Sequence, residues 1–235
     1  MNARFTGSAL GLAWAILQPL SLVVLYWFVF TFMIPRGPGG GDGYIYFLIS
    51  GLIPWLAINE GVIRSTTSIV ENSTMVRKLS FRSELLVVVP NATAMIFEAV
   101  GLFFFLVFLF ARGGPFQQIW LLPFALLLQF ALQLGFGLML AASYVFFRDL
   151  TQVLGFALSL LFYLSPILYQ AKGRFGPLLE WNPITPLLGL FRSAALSAAI
   201  PQASSIVYLV TVTLGVLGGG LMLFRRAQPT LVDLI

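Results

Sequence analysis

The residues that could carry acid–base, nucleophilic or metal chemistry in this chain are few and dispersed. The absence of histidine and cysteine excludes an imidazole base, a thiol nucleophile, a disulfide and most transition-metal sites. The acids are scattered, which disfavours a carboxylate pair for glycosyl chemistry; they are Asp42, Glu60, Glu71, Glu84, Glu98, Asp149, Glu180 and Asp233. Lys78 and Lys172 follow no glycine-rich phosphate loop. We therefore expect no catalytic residue, no bound metal and no cofactor in this chain.

Glu98 is the acid that lies in the middle of a long apolar run. An intramembrane carboxylate is a functional candidate by default, as an ion or proton site. The competing interpretation is a structural hydrogen-bonded cluster, because Gln129 in the next apolar run would lie at a similar depth, with Gln133 one turn further along the same helix face. We favour the structural cluster.

The elements that carry these residues are membrane spans. The chain has 235 residues, of which 59% are hydrophobic and 9% charged, whereas about a quarter of residues are charged in soluble domains. Apolar runs near or beyond the ~20 residues that cross a bilayer predict six spans, at about 12–34, 44–63, 85–111, 117–142, 150–170 and 205–224. The first run is too long for a signal-peptide core. We expect an all-α integral membrane protein with one domain, residues 1–235.

The basic residues indicate the orientation of the spans. The net charge of +5 comes from residues that stand singly or in pairs at the ends of apolar runs, which favours topology signals over nucleic-acid binding. The pair Arg225–Arg226 directly after the last run is the clearest cytoplasmic signal, and Arg4 lies before the first run. We expect both termini in the cytoplasm.

Two connections between the spans differ from ordinary loops. Ser65 to Glu84 has the pattern of a short amphipathic helix beside the membrane on the cytoplasmic side. Its Glu71, Arg77 and Lys78 are either a solvated face or a docking surface, and the same two interpretations apply to Arg148 and Asp149 between spans four and five. Lys172 to Gln202 contains proline-interrupted apolar segments, which predict short reentrant helices in the outer leaflet.

Aromatic side chains make up 15% of the chain. Most must face lipid or packing partners, but Tyr26 with Phe30, and Phe162 with Tyr169, are predicted to share helix faces. Such flat surfaces could line a conduit along which sugar rings slide. Both interpretations stay open on the sequence alone.

Short motifs along nearly the whole chain resemble one family. They are GSALGLAWAILQP (7–19), FVF (28–30), GLIPW (51–55), SIVEN (68–72), FFRD (146–149), LSPILY (164–169) and WNPITP (181–186), followed by Arg192. This ordered set resembles the type-2 ABC exporter permeases of the polysaccharide and polyol-phosphate group.

The resemblance implies a homodimeric permease in the bacterial plasma (inner) membrane, working with two separate ATP-binding subunits that hold ATP and Mg²⁺. Its cargo would be a lipid-linked glycan, namely O-antigen, capsular polysaccharide or teichoic acid, moved outward. Ser68, Glu71 and Asn72, with the residues to Lys78, match the family's coupling helix. Spans one, two and five would line a channel that includes Trp55 and Tyr163. Short helices around Pro166, Asn182, Pro183 and Arg192 would close it outside.

Three alternatives belong to other functional classes or cargoes. The first is an ABC exporter of a drug or small lipid. The second is an ion-coupled carrier that uses Glu98 and works without nucleotide. The third, a membrane glycosyl- or acyltransferase, is least compatible with the missing histidine and the scattered acids.

Overall fold

The computed structural model describes residues 42–74, 83–170 and 176–234. These residues form seven helices and no strand: α1 Asp42–Glu71, α2 Glu84–Ala111, α3 Leu121–Phe146, α4 Leu150–Leu164, α5 Gly176–Glu180, α6 Ile184–Leu196 and α7 Ala203–Leu234. The prediction of an all-helical chain is confirmed for this part of the sequence. The predicted span 12–34, with Tyr26 and Phe30, lies outside the described residues.

Four of the described helices are long and apolar enough to cross a membrane, namely α1, α2, α3 and α7. They pack into one bundle in which α1 contacts α2 and α3, while α3 also contacts α7. The main core contains Leu52 and Trp55 of α1, Leu132 of α3 and Leu209 of α7, all buried. The chain is therefore a multi-pass membrane protein.

Helix α1 continues beyond the predicted boundary at residue 63 and ends at Glu71. The hydroxyls of its last turns donate to carbonyls of the preceding turn, from Thr66 to Val62 at 2.8 Å and from Ser68 to Ser65 at 2.7 Å. Ile69 is fully buried in the same turns. The residues from Ser65 to Glu71 are thus the end of a long helix and not the start of a separate amphipathic one.

Helix α4 is shorter than the predicted span 150–170, because it ends at Leu164. Ser165 has an extended backbone, with φ −99° and ψ 142°, as expected for a residue that precedes a proline. Fifteen residues extend about 22 Å, which is less than the ~30 Å of a bilayer core. The short helices α5 and α6 follow this break, in the region where the sequence predicts them.

The two ends of the bundle collect different parts of the chain. One end contains a buried cluster from the last turns of α1, the start of α2 and the last turns of α3 and α7, with Ile69, Val87, Ala142 and Phe224. The other end joins Phe105 and Leu109 of α2 to Ala195 of α6. Glu71 at the end of α1, Arg148–Asp149 after α3 and Arg225–Arg226 directly after Phe224 in α7 therefore lie at the first end of the bundle.

Candidate functional site

The break after α4 is held by Asn182, which precedes α6. The side-chain Nδ2 of Asn182 donates to Ser165 Oγ at 2.9 Å and to the carbonyl of Leu164 at 3.3 Å. Its Oδ1 accepts a hydrogen bond from the backbone N–H of Ile184 at 3.0 Å. One amide therefore links the C-terminal end of α4 to the first turn of α6, where Pro183 is the N-cap residue.

Arg192 of α6 binds the chain just beyond the same break. It is buried, and its Nη2 donates to the carbonyl of Pro166 at 2.6 Å and more distantly to that of Ile167 at 3.4 Å. Its guanidinium carbon lies 3.6 Å from the centroid of the Phe47 ring, a cation–π contact. Pro166, Asn182, Pro183 and Arg192, predicted as a group, are thus brought together around the end of α4.

Helix α1 completes this arrangement from the opposite side. The hydroxyl of Tyr44 donates to the carbonyl of Leu168 at 3.0 Å. A Cβ on Gly51 would lie 2.9 Å from Arg192 Nη2, so the absence of a side chain there leaves room for the guanidinium. Side chains of α1 and α6 therefore satisfy backbone carbonyls that the broken helix leaves without helical partners.

The predicted conduit aromatics that the structure describes differ in exposure. Trp55 and Phe162 are buried and pack against each other with ring centroids 5.7 Å apart, whereas Tyr163 is exposed. Phe162 and Tyr169 were expected on one helix face, but α4 ends at Leu164 and the hydroxyl of Tyr169 donates to the carbonyl of Tyr163 at 2.8 Å. That expectation is wrong because Pro166 interrupts the helix between them.

The predicted partner-coupling residues are partly described. Ser68 is buried, whereas Glu71 is exposed at the end of α1. Asn72 occupies a turn and its side chain donates to the carbonyl of Ser68 at 2.7 Å. Arg148 and Asp149 are exposed in the short connection between α3 and α4. Arg77 and Lys78 lie outside the described residues.

Glu98 and Gln129 contact each other inside the bundle. Both are buried, and Gln129 Nε2 donates to Glu98 Oε2 at 2.5 Å. The same nitrogen lies 3.4 Å from the carbonyl oxygen of Pro54 in α1. The contact that the sequence predicted between these two side chains is present, and it joins α2 to α3.

Gln133 binds a different part of α2. Its Nε2 donates to the backbone carbonyl of Asn91 at 3.4 Å, and Asn91 Nδ2 donates to Ser65 Oγ of α1 at 2.6 Å. We call the five buried side chains Ser65, Asn91, Glu98, Gln129 and Gln133 the polar layer. Gln133 thus belongs to the polar layer without a described bond to Glu98.

Sequence reasoning missed Ser65, Asn91 and Tyr44 as members of these arrangements. A signal for Asn91 exists, because it precedes Glu98 by two helical turns and so lies on the same face of α2. Gly61 and Gly137 leave space for these polar side chains. A Cβ on Gly61 would lie 2.9 Å from Asn91 Oδ1, and a Cβ on Gly137 would lie 2.9 Å from the Ser65 Cβ. Among the described residues, no group of three or more acids could hold a metal ion.

Comparison of the amino-acid sequence with known proteins finds similar transport proteins. A family model described as ABC-2 type transporter matches residues 1–196. The chain is similar to the O-antigen export system permease protein RfbA of Klebsiella pneumoniae, with 26% identity over 251 residues that cover 100% of this chain and 91% of the relative. RfbA of Myxococcus xanthus is 26% identical, covering 100% and 92%. The polysialic acid transport protein KpsM of Escherichia coli is 24% identical, covering 99% and 92%.

Proposed function

Since this chain belongs to the ABC-2 type transporter family, we propose that it is the permease subunit of an ATP-driven exporter of lipid-linked polysaccharide in a bacterial plasma membrane. The observation that carries the proposal is the similarity to O-antigen export and polysialic acid transport proteins over essentially the whole chain. Both kinds of relative are named for polysaccharide cargo. The chain is a transport subunit, and we assign ATP hydrolysis to a separate ATP-binding partner, because the sequence contains no phosphate-binding loop.

We assign partner docking to the end of the bundle that carries Glu71, Arg148 and Asp149, with Arg77 and Lys78 on the following segment. These side chains are charged, and the three described ones are exposed. Ile69 lies two residues before Glu71 and is buried against the neighbouring helices, so a force applied at the end of α1 reaches the bundle. In the working exporter, two copies of this chain would meet two copies of the ATP-binding subunit here, with both termini on the same cytoplasmic side.

We assign outer closure of the path to the break after α4. Asn182 and Arg192 hold residues 164–167 by hydrogen bonds that a change of helix packing can break and remake. Trp55 and Phe162 lie beside this region and pack against each other. A change of access at this place would be driven by closure of the ATP-binding subunits.

ATP hydrolysis in lipid vesicles tests the proposal. The vesicles contain this chain, an ABC ATP-binding subunit offered as its partner, or both, with a lipid-linked glycan or with the same carrier lipid lacking the glycan. We expect hydrolysis that requires both proteins and increases with the glycan-bearing lipid only. Equal stimulation by the bare carrier lipid would favour a small-lipid exporter. Transport without nucleotide, by this chain alone, would contradict the family-based mechanism and favour an ion-coupled carrier.

A further inference from the structure

Two oxygens of the contact between Glu98 and Gln129 accept no hydrogen bond from the described residues. They are Glu98 Oε1 and Gln129 Oε1, and both are buried. The other two polar atoms of the same pair are bonded to each other, because Gln129 Nε2 donates to Glu98 Oε2. In each of the two side chains, one polar atom is therefore bonded across the pair and the other polar atom has no partner in the described part of the chain.

An ionised Glu98 cannot resolve this mismatch, because a carboxylate and an amide oxygen are both acceptors. A protonated carboxyl has one O–H donor. With the proton on Oε1, the acid can donate to Gln129 Oε1 while the amide donates to Glu98 Oε2. One proton then provides partners for both unmatched oxygens, in a cyclic acid–amide pair.

The charged groups on the described helices that contact α2 are not placed to stabilise an ionised Glu98. Helices α2 and α3 contain no lysine or arginine, and the other acid of α2, Glu84, lies at its first residue. On α1, Glu60 and Arg64 form an ion pair with each other. Pro54 of α1 lies at the level of Gln129. Glu60 is about 9 Å further along the helix axis than Pro54, and Arg64 is about 15 Å further. Asp42 begins α1, twelve residues before Pro54.

We propose that Glu98 binds a proton and is held as a neutral carboxylic acid, paired reciprocally with Gln129 across the interface of α2 and α3. The ligand of this buried site is the proton itself, and its role is to join two membrane helices without placing a charge between them. The proposal does not depend on the cargo of the exporter.

Infrared absorption of the purified full chain in vesicles of ether-linked lipids, which lack the ester carbonyls that absorb in the same region, tests the proposal. In a mildly alkaline buffer, exposed carboxyls are ionised, and a carbonyl band of a protonated acid reports a buried one. We expect this band in the wild type, its loss in Glu98→Gln, and its retention in Glu180→Gln, which removes an exposed acid on α5. A wild type without the band, or a band that survives Glu98→Gln, would overturn the assignment.

A second variant keeps the test decisive where Glu98→Gln fails to assemble. Gln129→Leu removes the amide that donates to Glu98 Oε2 and the oxygen that would accept from the acid. We expect the protonated-acid band to persist and to move to higher frequency, as a carbonyl does when it loses a hydrogen-bond donor. Gln152→Leu, at an exposed position of α4, should leave the band unmoved. An unmoved band in Gln129→Leu would refute the reciprocal pair.

Discussion

The guanidinium of Arg192 lies over the ring of Phe47, 3.6 Å from its centroid, while the same side chain donates to the carbonyl of Pro166. Three elements distant in sequence therefore meet at one buried cation: the start of α1, the chain after α4, and α6. A guanidinium can lie over an aromatic ring and donate to a carbonyl at the same time, whereas a lysine ammonium is a compact point charge, so we expect this site to prefer arginine.

Arg192→Lys should destabilise the folded chain although it keeps the positive charge. A lysine ammonium reproduces neither the stacking on Phe47 nor the planar donor to Pro166, and a lost hydrogen bond from a charged group costs about 1.5–3 kcal/mol. Thermal unfolding in lipid or detergent measures the effect. Arg226→Lys, at an exposed position of α7, is the matched control and should unfold like the wild type. Equal unfolding temperatures for both variants would contradict the interpretation.

Gly135→Ala should separate α3 from α7. A Cβ at this position would lie 2.7 Å from the backbone nitrogen of Leu217 and 2.8 Å from its Cα, and backbone atoms cannot move aside as a side chain can. Overpacking of this kind costs about 1–3 kcal/mol.

Gly215→Ala supplies the control on α7, because a Cβ there meets nothing within 4 Å. It should be neutral or gain up to about 1 kcal/mol from helix propensity. Thermal unfolding of the two variants side by side gives the comparison. A Gly135→Ala variant as stable as Gly215→Ala would mean that α3 and α7 are further apart than described.

Gln129→Leu should weaken the packing of α2 against α3. It leaves Glu98 Oε2 without its donor, and an unsatisfied buried polar group costs about 1–3 kcal/mol. Gln152→Leu, exposed on α4, should change stability little. Resistance to proteolysis and the unfolding temperature report the difference. Indistinguishable variants would show that the polar layer contributes no stability.

Charge reversal at Glu71 and Lys78 together should uncouple the ATP-binding partner without unfolding the permease. Glu71 is exposed at the end of α1, so its replacement removes no described buried contact. We expect stimulation of ATP hydrolysis by the glycan substrate to be lost, while unfolding temperature and membrane yield stay near wild type. The control is Glu180→Lys on α5, at the other end of the bundle. Unchanged coupling in the double variant would reject the docking assignment.

The apolar runs predicted most of the described helices because a membrane span has a length and composition that the sequence states directly. The end of α4 at Leu164 was also available from the sequence, since Pro166 disfavours helical geometry at Ser165. The continuation of α1 to Glu71 was not, because polar residues such as Thr66 and Ser68 suggest an exposed helix until their hydroxyl bonds to the helix backbone are seen.

The contact of Glu98 with Gln129 followed from depth alone, because antiparallel neighbouring spans place equal depths side by side. The partners of Arg192 did not follow from any local pattern. Phe47 and Pro166 lie on other elements, and only the packing of α6 between them decides the contact. The proline-interrupted segment from Lys172 to Gln202 predicts short helices. It does not predict which residues of the other helices these short helices contact.

The backbones of α3 and α7 approach each other closely at Gly135 and Gly220. Small residues at these positions let the two helix backbones pack without intervening side chains, so a larger side chain at either position would push the helices apart. Helix α4 buries only Leu154, Leu158 and Phe162 along its described length. Within the described residues, α4 therefore has fewer buried side chains than α3, and its C-terminal end is held by the hydrogen bonds that Asn182 and Arg192 make to residues 164–167.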